Sequence, residues 1–421
     1  GFLLLSTAGI PFAADPLFAA YQTLRLVLLL ALYLMLVNAH LAPETVAYPL
    51  ALGMVLQAAL ALPQFALGRT LGLHRLGEVS ANAAWSGSSV VKVGPESWLR
   101  AYGFAQHPNL LAGCLMAMLI VVAGHYLAQQ GWKRLPLLVA SGAGCVALLL
   151  TFSRAAWLGT LLGGILAAAL LQRGRRPQPR SANRSAAVLL SVVMMLSVAF
   201  AVLNGPLLQS RFGLKEAIEI NSVQARKLQV APAWTLIRMR PFLGVGLGNY
   251  ATALYRLAPD AVPPGRIYQP VFNVALLVTA ELGALGGLLW LVLIAAPWPA
   301  LWRRSRQRPL TPWWAGLSGA LLALAVVSFF DFYVWTSHQG PLLLWIVLGL
   351  WAAEWEDSHR AGRSCHCASC VPDSVSRTAT RSPSATISSM VKRKPGKILS
   401  QKMEGLGRGP CSRASADQLH I

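Results

Sequence analysis

The sequence predicts an all-α fold, a polytopic transmembrane helical bundle with one large external loop, on three observations. Hydrophobic residues make up 55% of the 421 residues and charged residues only 12%, roughly half the charged share usual in soluble domains. Apolar runs of membrane-spanning length recur at 22–39, 46–66, 109–127, 135–151, 155–171, 187–203, 271–298, 314–330 and 339–353. Between the sixth and seventh runs lies a polar, basic stretch at 204–270. A hydrocarbon core ~30 Å thick takes about 20 helical residues to cross. A helix also satisfies its own backbone groups where no water can, so each run is read as one span.

The elements follow in order. The opening GFLLLSTAGIPFAA is apolar but too short to span, and it lacks the basic flank of a signal peptide. It reads as the surviving half of a helix, with the N-terminal bundle incomplete. The links GWKR at 131–134, RGRRPQPRSANR at 173–184 and RRSRQR at 303–308 fall on one side if the helices alternate. By the positive-inside rule that side is the cytoplasm, which leaves 67–108, 204–270 and 331–338 outside. Residues 1–353 form the membrane domain in this reading. Residues 354–421 are rich in Ser, Arg, Lys and Pro and contain VKRKPGK. They are expected to be a disordered basic cytoplasmic tail touching anionic lipid, or else a read-through extension.

The net charge of +21 raises nucleic acid as a partner. Aromatic-basic interleaving and zinc fingers are both lacking, and membrane topology explains the arginines, so no nucleic acid is expected. Of the six cysteines, Cys114 and Cys145 lie in apolar runs as small core residues, while Cys365, Cys367, Cys370 and Cys411 lie in the tail. The CHCASC run with His366 lacks the spacing of a zinc site, so neither metal nor cofactor is predicted.

Several polar residues are not explained by the bilayer. In SWLRAYGFAQHPNLLAG, Pro108 suits the first turn of a helix, and Arg100, His107 and Asn109 stand at that helix start. They read either as interface anchors or as groups facing an anionic headgroup. In TFSRAAW, Arg154 stands at a tight turn around Thr151 and Ser153. It either snorkels or binds phosphate, which its planar fork matches. In the large loop, Arg226, Lys227, Trp234, Leu236, Arg238 and Arg240 lie on an amphipathic stretch expected to rest on the outer surface. Pro241 ends it, and the glycines of GVGLGN permit a tight turn with exposed amides. No strand precedes them and no Walker lysine follows, so this is not a nucleotide loop. Asn273 and Glu281 are eight residues apart, on one face of the next span. A carboxylate there is a site candidate or the partner of an arginine. Asp331 and His338 bracket the last external link, with His338 a candidate base or a polar anchor.

Taken in order, RAYGFAQHPNLLAG, TFSRAAW, RPFLGVGLGNY and QPVFNVALLVTAELGALGG resemble the O-antigen ligase and polymerase superfamily of bacterial envelope glycan enzymes, over most of residues 20–353. The resemblance implies a metal-independent glycosyltransferase or ligase of lipopolysaccharide and cell-envelope biosynthesis, multispanning in the bacterial inner membrane and active on the periplasmic face. Its donor would be an undecaprenyl-pyrophosphate-linked glycan. The acceptor would be lipid A-core, another carrier-linked repeat or a protein hydroxyl. The resemblance also implies that Arg100, Arg154 and Arg240, with Arg238 beside it, hold the pyrophosphate leaving group. Many members carry histidine directly before the asparagine of the last motif; here that position is Phe272, which accepts no proton. The external histidines His338, His107 and His74 remain as bases. The expected site therefore has Arg154, Arg240 and His338 as catalytic groups, and Arg100, His107, Asn109, Arg238, Asn273 and Glu281 as substrate-binding groups. A carrier-binding member without turnover is the alternative. A transporter is less favoured, because no internal repeat is visible.

Overall fold

The computed structural model describes residues 1–173, 180–213, 224, 226–261, 268–307 and 309–368, without the side chains of 180–182, 261 and 357–368. The chain divides into two units, Gly1–Cys367 and Ala368–Ile421. Of the second only Ala368 is described, so residues 369–421 of the expected tail, Cys370 and Cys411 among them, lie outside the described residues.

Every expected apolar run is helical. Among the described residues seven helices are long and apolar enough to cross a membrane: Pro16–Asn38 (α2), Pro43–Leu67 (α3), Pro108–Ala128 (α4), Gly131–Leu150 (its α-helical part, Arg134–Leu150, is α5), Arg154–Gln172 (α6), Asn183–Leu203 (within α7, Arg180–Leu203) and Val274–Gln307. The last comprises α11 (Val274–Ala295) and α12 (Pro297–Gln307). Pro312–Ser328 (α13) is apolar but shorter, and Gln339–Ala368 (α15) closes the described chain. The opening segment forms a short helix, α1 (Phe2–Gly9). Phe2 packs at a tilt on Trp335 at 5.8 Å, and Ala14 N–H bonds the carbonyl of Val245, which ties the N-terminal segment to the large loop.

Four details differ from the sequence reading. The link 67–108 contains a hairpin, β1 (Val90–Val93) and β2 (Glu96–Leu99), in antiparallel register with Val90 opposite Leu99. Its β-branched strand VVKV meets Gly94 at φ +59°, a turn conformation that glycine adopts without strain. Second, α15 continues to Ala368, past the boundary expected at 353, through the helix-favouring run WAAEWED. Third, the expected span 271–298 is interrupted, since Gly283 has φ 74° and ψ −177°. Fourth, Asn273 is not on the helix face with Glu281 but caps α11, its side-chain oxygen accepting from Leu276 N–H at 3.0 Å.

The bundle packs through small residues. α13 lies against both α6 and α4. A Cβ on Gly163 of α6 would strike the carbonyl oxygen of Gly319, and one on Gly124 of α4 would come 2.6 Å from that of Pro312. Gly159 and Gly163 are the ends of a G-x-x-x-G stretch, which lets helix backbones approach where lipid supplies no hydrophobic drive.

Contacts sort the loops into two ends. At one end Arg134 donates to Gln129 O and Ser185 Oγ, Tyr48 OH reaches Lys133 O at 3.3 Å, and Arg173 and Arg306 sit over Trp302 at 4.4 and 4.6 Å. Described members of all three basic links therefore share this end, as alternation requires; 174–179 and 308 lie outside the described residues.

At the opposite end the large loop forms α8 (Gly205–Gly213), α9 (Val230–Met239) and α10 (Tyr250–Leu257). Residues 214–223, 225 and 262–267 of that loop lie outside the described residues. α9, α10 and the first half of α11 enclose their own apolar core of Leu236, Ile237, Tyr250, Leu254, Leu277 and Ala280. Leu236 is thus a core residue, whereas Trp234 is 47% exposed, so only part of α9 fits a helix lying on a lipid surface.

The glycine turn docks into the break in α11. Val245 and Gly246 N–H bond the carbonyls of Ala280 and Glu281, and Ala284 N–H bonds that of Pro241. The loop thus uses backbone groups that the interrupted helix leaves unpaired. Gly244, Gly246 and Gly248 all have positive φ, and a Cβ on Gly244 would strike Glu281 backbone.

Candidate functional site

The loop end of the bundle gathers arginines around one tight turn. α5 ends at Leu150 and α6 begins at Arg154, and between them Phe152 takes φ +50°. That conformation is uncommon outside glycine. It is held by a fully buried ring packed on Phe200 at 5.5 Å and Phe65 at 6.0 Å. The turn presents two carbonyls at the negative end of α5, where cations are favoured. Arg100 Nε donates to Thr151 O at 2.5 Å, and Arg211 Nε, from α8, donates to Phe152 O at 3.1 Å. Arg154 Nη1 in turn donates to Arg211 O at 3.0 Å.

Arg100 is nearly buried and bonded further. Its Nη1 donates to Ser89 Oγ at 2.8 Å and its Nη2 to Asn109 Oδ1 at 2.6 Å. Asn109 Nδ2 then donates to Asp331 Oδ2 at 2.7 Å. This relay joins the hairpin, α4 and the turn after α13. The strand-to-helix segment is itself fixed by Gln64 of α3, whose side-chain oxygen accepts from Tyr102 and Gly103 N–H at 3.1 and 2.7 Å, while its nitrogen donates to Glu78. Burial would raise the Glu78 carboxyl, but hydrogen bonds from Leu71, Gln64, Leu73 and Gly72 outweigh it and hold the group below the usual carboxylate range.

His107 caps α4, its Nδ1 accepting from Asn109 N–H at 3.1 Å. That bond leaves the proton on Nε2. The residue is exposed at the surface, but desolvation by the surrounding protein and then the charges of Arg100, Arg226 and Arg211 push its pKa down to about 3. The imidazole is therefore neutral near pH 7, with Nε2–H as a donor. Arg226 also lies over the Phe272 ring at 4.9 Å, and Phe272 packs on Phe332 at 5.0 Å. Asp331 is thus beside the position where a histidine was sought. Burial raises its carboxyl above the usual range, against the pull of Arg226 and hydrogen bonds from Asn109, Phe332 and Tyr333.

Arg100, His107, Asn109 and Arg154 therefore converge, and Arg211, Arg226 and Asp331 join them. Arg211 carries no local signal in the sequence, and Asp331 reads there only as one end of a link; its Asn109 partner is 222 residues away. The other expected residues are placed elsewhere. Arg238 and Arg240 are exposed at the C-terminal end of α9, and His338 is exposed before α15. Glu281 is buried at the break in α11, its Oε2 accepting from Trp335 Nε1 at 2.9 Å and its carboxylate facing the amides of Gly248 and Tyr250. Those partners take the place of the arginine considered for it. Asn273 is committed to its cap. Among the described residues no group of three His, Cys, Asp or Glu side chains is arranged to hold a metal ion.

The cluster can hold a di-anion. Ser153, the N-cap of α6, makes no side-chain bond to the first-turn amides, and helix N-termini with adjacent guanidinium groups suit phosphate oxygens. An arginine in the first turn opposes the helix dipole, so Arg154 is not placed there for helix stability.

The O-antigen ligase family model matches residues 137–291, which include Arg154, Arg211, Arg226, Arg240 and Phe272. No curated protein matches the chain.

Proposed function

We propose that the chain, whose residues 137–291 match the O-antigen ligase family model and whose described residues include seven helices long and apolar enough to cross a membrane, is a multi-pass membrane protein that transfers a glycan from an undecaprenyl-pyrophosphate carrier to an acceptor hydroxyl. The observation that carries this reading is the contact of Arg154 with Arg211 at the uncapped start of α6, together with the charges of Arg211 and Arg226 acting on the His107 donor. In the reaction the acceptor oxygen forms a bond to the anomeric carbon while the bond from that carbon to the pyrophosphate oxygen breaks. The electron pair stays on the pyrophosphate. Arg154, Arg226 and the His107 Nε2–H stabilise that developing charge, which preorganised donors do most effectively. Arg211 and Arg100 position the turn, and Arg238 and Arg240 extend the positive field toward solvent and aid donor capture.

The acceptor's proton passes to Asp331, whose raised proton affinity suits a base. Phe272 and His338 take no part in proton transfer. The acceptor class is lipid A-core or another envelope glycan. The site faces the periplasm of the inner membrane, with the basic links toward the cytoplasm. The test is binding of undecaprenyl pyrophosphate to purified protein with its fold verified by monodispersity. Arg154→Ala combined with Arg226→Ala weakens binding by about a hundredfold, the scale of two lost charge-assisted contacts, and His338→Ala leaves it unchanged. Equal affinity for wild type and the double variant refutes the reading.

A further inference from the structure

We infer that a cavity on the other side of the α13–α15 connection holds the phosphate of an anionic membrane lipid, with Arg25 as its receptor. The cavity measures about 170 Å³ and lies between α2, α11, the glycine turn and the start of α15. Phe18, Gln22, Arg25 and Leu29 line it from one face of α2, opposite Trp345. Arg25 is half-buried and is the one charged residue of α2. Its Nη1 donates to Gln22 Oε1 at 2.8 Å and its Nη2 to Ser337 O at 2.6 Å. Both partners are neutral, so the hydrogen bonds leave the charge itself uncompensated. A guanidinium within a membrane-length helix pairs with backbone carbonyls or with an anion; Arg25 has one such carbonyl and also faces the cavity, where an anion can complete its shell. Glu281 also lines the cavity, but its carboxylate is engaged by Trp335 and the amides of the glycine turn.

The walls indicate what kind of anion enters. Below Arg25 the cavity is bounded by Leu26, Leu29 and Trp345, and the outward face of α2 exposes Leu24 and Leu28. A polar head beside Arg25 with an apolar chain along α2 matches a lipid, whereas a free ion leaves the apolar wall unfilled. The cavity is also separate from the arginine cluster. The short helix Tyr333–Thr336 (α14) stands between them: Asp331, just before it, bonds Asn109 of α4, while Trp335 and Ser337 bond Glu281 and Arg25. The inference therefore holds whether or not the arginine cluster binds the donor.

The experiment uses the full chain in bilayer nanodiscs of phosphatidylcholine containing a trace of spin-labelled phosphatidylglycerol, or of spin-labelled phosphatidylcholine as reference. Immobilised label is counted. Wild type retains the phosphatidylglycerol label over the reference, and Arg25→Gln lowers retention about tenfold, as loss of a charge-assisted hydrogen bond predicts. Arg25→Lys keeps most of it. Leu29→Trp fills the cavity without touching the charge and also lowers retention, so a folding defect in one variant does not mimic the result. Arg154→Ala has no effect. Retention unchanged in both Arg25→Gln and Leu29→Trp overturns the inference. So does loss on Arg154→Ala, which assigns the lipid to the arginine cluster, or displacement by millimolar inorganic phosphate, which assigns the cavity to a free anion.

Discussion

At the residue scale, His107 shows how position alters chemistry. Its pKa of about 3 lies below the ordinary 6.5, so between those values the unfolded chain binds a proton that the folded chain does not. Stability therefore rises with pH across that window and is lost as pH falls from about 6.5 toward 3. Replacing His107 by Gln removes this linkage while keeping a neutral donor. Thermal unfolding in detergent is expected to show wild type losing more stability than His107→Gln between pH 6.5 and 4; parallel curves would contradict the assignment. Transfer activity likewise shows no inflection from His107 near neutral pH, because the group acts as a hydrogen-bond donor and not as a base. Asp331 has the opposite shift, raised by burial against the hydrogen bonds from Phe332 and Asn109, which is why the proposed mechanism gives it the acceptor's proton.

At the element scale, two helices carry the site and both depend on glycine. α6 presents Arg154 at one end and meets α13 through Gly163, where a side chain would collide with backbone. Gly163→Val is expected to destabilise the bundle by about 1–3 kcal/mol, the usual range for overpacking. Gly164→Val, facing open space, serves as the control and shifts the thermal midpoint little; equal effects would show that the helix contact is not limiting. The second helix, α11, is interrupted at Gly283. The glycines of GVGLGN were legible as a tight turn, because three positive-φ residues so close together require them. Its docking site was not, since LLVTAELGALGG reads as an unbroken apolar run with no proline to mark a kink. The same limit explains the paired reading of Asn273 and Glu281, which assumed one continuous helix face.

At the scale of the whole molecule, the spans and the shared end of the basic links were legible because each is written in local composition, in apolar runs about 20 residues long and in clusters of arginine. Arg154 was legible for a related reason, as a charge between two apolar runs. Arg211 and Asp331 were not, since their roles come from contacts between distant elements, α8 with the turn after α5 and the turn after α13 with α4. The bundle thus separates a basic end from a second end where Arg100, Arg154 and Arg211 gather around the turn between α5 and α6. The most direct test is glycan transfer in proteoliposomes from a synthetic undecaprenyl-pyrophosphate oligosaccharide, comparing wild type, Arg154→Ala, Asp331→Asn and His338→Ala. The account predicts transfer by wild type and His338→Ala, and losses of about 10²–10³-fold in the other two, the scale seen when one transition-state donor or base is removed. Asp331→Asn should retain carrier binding. Wild-type rates in both Arg154→Ala and Asp331→Asn would contradict it.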